Sequence, residues 1–121
     1  MTAPQPAPVF VEQVETLLRT RHAGQGNAAL TRDLLEELTG SPQARAHLTL
    51  ARHLRTAIEE INLHRGGLVC SDTVHGYWWG DCLADLRAVE AHIRRAQRQL
   101  RNASALKRNL QRETGGQTRF E

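Results

Sequence analysis

The chain has 121 residues and a mass of 13.6 kDa, room for one domain plus a modest extension and not for two full domains. Sixteen basic against thirteen acidic residues give a formal charge of +3, and an apolar fraction of 40% supports one core and excludes full disorder. No apolar run approaches the roughly 18 residues that a membrane span needs, so no membrane association is expected.

The opening Met1–Pro8 carries three of the four prolines and is expected to be a disordered arm over 1–8. It has neither a basic n-region nor an apolar h-region, so no secretory signal is expected. Cys70 and Cys82 are too few for a disulfide framework or a zinc finger. A cytoplasmic protein with reduced thiols is the expectation.

Val9 to about Arg21 is predicted as a first helix, with Val9, Val11, Val14, Leu17 and Leu18 on one face. His22–Asn27 is a loop broken by two glycines. A short second helix covers Thr31–Leu38 and stops at Thr39-Gly40-Ser41-Pro42. The third helix starts between Gln43 and Leu48 and ends at Arg65. Leu50, Leu54, Ile58 and Ile61, with Ala51 and Ala57, form its buried stripe. Gly66-Gly67 ends it.

The pattern then changes. Leu68-Val69-Cys70 and Tyr77-Trp78-Trp79 are short β-prone runs around the polar turn Ser71–Gly76, which predicts a β-hairpin. Trp78 and Trp79 point to opposite faces, so at most one is core; the other covers the C-terminal helix or forms an exposed partner patch. Cys70 reads as a strand core residue. A long helix from Asp81 to about Arg112 follows, with Gly80-Asp81 as its expected N-cap. Leu86, Val89, Ile93, Ala96, Leu100, Ala103 and Leu110 recur at 3-4 spacing, about three heptads of a/d seam broken only at Lys107. The end of the chain, 114–121, is expected to fray.

Charge is unevenly placed. Met1–Gly66 holds seven basic and seven acidic residues, whereas Leu86–Arg112 holds eight basic residues against Glu90. The preference for Arg over Lys fits a GC-rich codon usage; the clustering does not follow from it.

Three helices and a two-stranded hairpin, in that order, match a winged helix-turn-helix. The wording of Arg52-His53-Leu54-Arg55-Thr56-Ala57-Ile58, Arg65-Gly66-Gly67-Leu68-Val69-Cys70 and Gly76-Tyr77 resembles the recognition helix and wing of biotin-repressor-type regulators and many small phage proteins. The resemblance covers roughly residues 10–80. It implies a mainly α domain over 9–80 that binds double-stranded DNA, followed by a basic helix over 81–113. No effector or enzyme domain follows the wing, so neither sensing nor biotin ligation carries over.

The expected DNA contacts are Arg52, Arg55 and Thr56 on the outer side of the third helix, with His53 beside them and Arg45 and Thr49 near its start. His47 lies near that start too. Thr73 and His75 on the wing are expected phosphate contacts, while Asp72 opposes deep insertion. Arg95 and Arg98, with Arg101 and Arg108, would add phosphate affinity. The bland alternatives are solvated charged faces and an ordinary solvated hairpin. The seam either pairs with a second subunit, giving a homodimer, or folds back on the first helix and the wing.

Enzyme chemistry finds little support, and no enzyme is expected. There is no Gly-rich phosphate loop, no Ser-centred elbow, and no His at i,i+4 from another His; no metal or cofactor is expected. The functional expectation is a phage-type transcriptional regulator or replication accessory factor. Its alternative is a protein–protein interaction module, such as a replisome loader, an assembly adaptor or an inhibitor of host machinery. The neutral first half of the chain favours that alternative.

Overall fold

A computed structural model describes residues 6–114. Most of the expected arm, residues 1–5, and the expected frayed tail beyond Thr114 lie outside the described residues.

The fold is mainly helical with one small antiparallel sheet. The order is α1 (Pro8–Arg21), α2 (Thr31–Thr39), α3 (Leu48–His64), β1 (Val69–Asp72), β2 (Gly76–Trp79) and α4 (Leu83–Glu113). Pro8 belongs to α1, where its locked φ suits the first turn and its missing N–H is no loss. A short 3₁₀ turn at Pro42–Ala46 separates α2 from α3. The His47 side chain then caps α3 by accepting from Leu50 N–H at 3.1 Å. No described helix is long and apolar enough to cross a membrane.

The described residues fall into two units, divided between Asp85 and Leu86. In the first, α1 contributes Val11, Val14 and Leu18, α2 contributes Leu34 and Leu35, and α3 contributes Leu54, Ala57, Ile58 and Ile61 to one core. Truncating fully buried Leu18 or Leu54 to Ala would cost about 2–5 kcal/mol. Five expected core positions behave otherwise. Val9 is exposed, while Leu17, Leu50, Ala51 and Cys70 are only half-buried.

The hairpin strands are longer than expected, and the turn shrinks to Thr73-Val74-His75. Asp72 pairs with Gly76 and Val69 with Trp79 across the sheet. Two side chains hold it. The Asp72 carboxylate accepts from the Val74 and His75 N–H groups and from His75 Nδ1 at 2.8 Å, closing the turn. Asn62 on α3 grips both main-chain groups of Val69, at 2.9 and 3.0 Å.

The free edge of β2 is also paired. Tyr77 exchanges two backbone hydrogen bonds with Ala29, and Trp79 bonds with His22 and Gly24. The α1–α2 connection therefore meets β2 at both of its ends, through isolated bridges at Ala23 and Ala29, with a 3₁₀ turn at Gln25–Asn27 between them. Gly76 is needed where this connection meets the turn: its φ is +93°, and a Cβ there would collide with the Ala29 carbonyl.

Trp78 and Trp79 do take opposite faces. Trp79 packs half-buried against the core, with the Arg19 guanidinium 5.2 Å from its ring centroid. Trp78 is buried on the other face. Its Nε1–H donates to Asp85 at 3.0 Å.

The second unit is the rest of α4. Its a/d side chains remain open: Leu86 is 53% exposed, Ile93 48% and Leu100 68%.

Candidate nucleic-acid interface

Helix α3 presents its outer face through residues spaced three and four apart. Thr49, Arg52 and Arg55 are exposed on it, and His53 and Thr56 are half-buried. The Thr56 hydroxyl donates to the Arg52 carbonyl at 3.1 Å. Glu59 lies exposed one turn after Arg55. The expected α3 residues thus share one helix, with the acid confined to its C-terminal half.

The partners of the arginines separate them into two classes. Arg45 lies on the 3₁₀ turn, where Nη1 meets Asp33 at 2.8 Å and Glu36 at 2.7 Å. The hydrogen bond it donates to Glu36, then that to Asp33, holds its pKa above the ordinary value. Its charge is therefore neutralised by α2 before any ligand arrives. Arg65 is fixed in the same way on Glu15 at 2.9 Å, and Arg21 lies 4.0 Å from Glu37. Arg19 stacks on Trp79. Among the described residues of the first unit, Arg19, Arg32, Arg52 and Arg55 have no ion pair.

At the hairpin tip Thr73 and His75 are exposed. His75 is held by Asp72, whose carboxyl is kept below the usual carboxylate range by the His75 N–H first and the His75 ring second. The tip is thus a closed local network. Gln25 of the α1–α2 connection also reaches Asp72 at 3.4 Å.

On α4, Arg95 and Arg98 are exposed and have no ion pair among the described residues, and the same holds for Arg101 and Arg108. They belong to the second unit, and the α3 set to the first.

Asp81, Cys82 and Asp85 bring three possible metal-donor atoms within 4.8 Å of one another. Both Asp85 oxygens already accept hydrogen bonds: Oδ1 from Trp78, and Oδ2 from Asp81 N–H, Cys82 N–H and Cys82 Sγ. This is a helix start closed by its own third residue, the reciprocal half of a capping box. Asp81, expected as the cap, sits one residue too early; Asp85 does the capping.

Comparison with protein-family models, curated proteins and solved structures gives no match to this chain.

Proposed function

We propose that the first unit is a winged helix-turn-helix that binds double-stranded DNA through α3, and that the protein dimerises through α4. The observation that carries the DNA reading is the division among the arginines. Arg21, Arg45 and Arg65 are paired with acids of the same chain, whereas Arg52 and Arg55 stand exposed on one helix face with no ion pair among the described residues. Phosphate oxygens and guanine edges are the groups such guanidiniums recognise. The fold reading is supported by the element order and by the bridges at Ala23 and Ala29, which flank the hairpin through backbone pairing.

In this reading α3 enters the major groove through Thr49, Arg52, His53, Arg55 and Thr56. Thr73 and His75 meet the neighbouring backbone, and Arg45 positions the turn before α3. Arg95 and Arg98 add sequence-independent phosphate contacts. The cellular role is that of a regulator or a replication accessory factor. Titration of a labelled duplex at low salt tests the reading: micromolar binding that weakens steeply as salt rises supports it. Absence of any shift at low salt overturns it.

A second reading has its own observation. Leu48 at the start of α3 is 78% exposed and Val74 at the hairpin tip is 76% exposed. Apolar side chains at both tips suit a protein partner better than phosphate. Duplex-silent protein whose partner binding is lost in Leu48→Asp would select this reading.

A further inference from the structure

We infer that two copies of α4 pair antiparallel, in a register that sets Lys107 of each beside Glu90 of the other. This rests on the dimer reading above, but not on DNA binding.

A heptad frame runs over Leu86–Leu110, broken only at Lys107. Leu86, Ile93, Leu100 and Lys107 occupy position a; Val89, Ala96, Ala103 and Leu110 occupy position d. Position b is Arg87, Arg94, Arg101 and Arg108 without exception, so the cations form a row on the face away from the seam. The flanks next to the seam are mostly neutral, with Gln97, Gln99, Ser104 and Gln111. A second copy therefore meets an apolar strip with its repelling charge turned outward.

The order of side chains decides the direction. Parallel helices stack a on a and d on d. That would set Ala96 on Ala96 and Ala103 on Ala103, leaving gaps, and Lys107 on Lys107, a like-charge contact. Antiparallel helices stack a on d. Ala96 then meets the partner's Leu100, and Ala103 meets the partner's Ile93. Leu86 closes on the partner's Leu110. Each small residue receives a large one, which fills the interface at close approach.

The same register places Lys107 opposite the partner's Val89, beside the partner's Glu90. Glu90 is the only acid between Leu86 and Arg112, and Lys107 is the only lysine in the chain. Antiparallel pairing brings these two together twice per dimer, and parallel pairing never does. A charged residue inside a seam is a known means of fixing register at some cost in stability.

The test is a charge exchange read by sedimentation equilibrium on the full chain. Glu90→Lys and Lys107→Glu should each weaken the dimer about tenfold, and the double variant should restore it to within about threefold. Dimers that show no rescue overturn the register while leaving the dimer reading standing. A monomer at high micromolar concentration overturns both. A second measurement does not depend on these variants: spin labels on Arg108→Cys, with Cys70 and Cys82 replaced by Ser. Antiparallel pairing separates the labels by about 30 Å along the axis, from an offset of about twenty residues. A separation of about 20 Å or less indicates parallel helices and overturns the inference.

Discussion

Trp78 and Asp85 are joined by a 3.0 Å hydrogen bond from the indole Nε1–H to Oδ1, and the bond ties the second hairpin strand to the start of α4. Asp85 is buried, and its other oxygen closes the helix start through the Asp81 and Cys82 N–H groups. Removing the carboxylate leaves a buried indole N–H unsatisfied and the helix uncapped. Asp85→Ala is expected to lower unfolding free energy by about 2 kcal/mol, whereas Asp81→Ala stays within about 0.5 kcal/mol. Urea unfolding followed by tryptophan fluorescence checks both. Equal losses would move the cap back to Asp81.

The same carboxylate sets an acid limit. The Asp81 N–H lowers the Asp85 pKa most, burial opposes, and the Trp78 indole adds to the lowering. Asp72 is lowered too, chiefly by the His75 N–H. A folded pKa below the unfolded value gives stability that is present above the unfolded pKa of about 3.9 and lost as pH falls through the folded value. Thermal midpoints should therefore hold from neutral pH to about 5 and fall below about 4, with a shallower fall in Asp85→Asn. A midpoint that rises on acidification would contradict the hydrogen-bond pattern.

The two thiols should differ in reactivity. Burial pushes the Cys70 thiol up, with Asp85 and Cys82 adding to the shift, and its Sγ lies 3.7 Å from the Leu68 carbonyl. Cys82 is exposed. Iodoacetamide at about pH 8 should modify Cys82 first, as read by peptide mass mapping. Faster labelling of Cys70 would mean that the strand opens more readily than its pairing implies.

The helices were legible because each carries a periodic apolar stripe and a breaker. Gly40 and the Gly66-Gly67 pair stop α2 and α3 within a residue or two of the expected ends. The hairpin followed from Tyr77-Trp78-Trp79. Three features left no such mark. The bridges at Ala23 and Ala29 pair through main-chain groups, which impose no side-chain pattern. The 3₁₀ turn at Pro42–Ala46 is too short for a period. The Asp85 cap acts backwards along the chain, whereas Asp81, the first acid after Gly80, stands where a side-chain N-cap is expected. At the candidate interface, residue type and spacing pointed first to Arg52 and Arg55 and then to Arg45 near the helix start. Only three-dimensional proximity to Asp33 and Glu36 sets Arg45 apart.

The most direct measurement is duplex affinity by fluorescence anisotropy for the intact chain and for Arg52→Ala, Arg55→Ala and the pair Arg95→Ala/Arg98→Ala. Loss of either α3 arginine should cost about 1–3 kcal/mol, while the α4 pair should weaken all duplexes alike and reduce the salt slope by about 2. If the intact chain binds no duplex at low salt, or if both α3 variants bind as it does, α3 is not the DNA-reading helix.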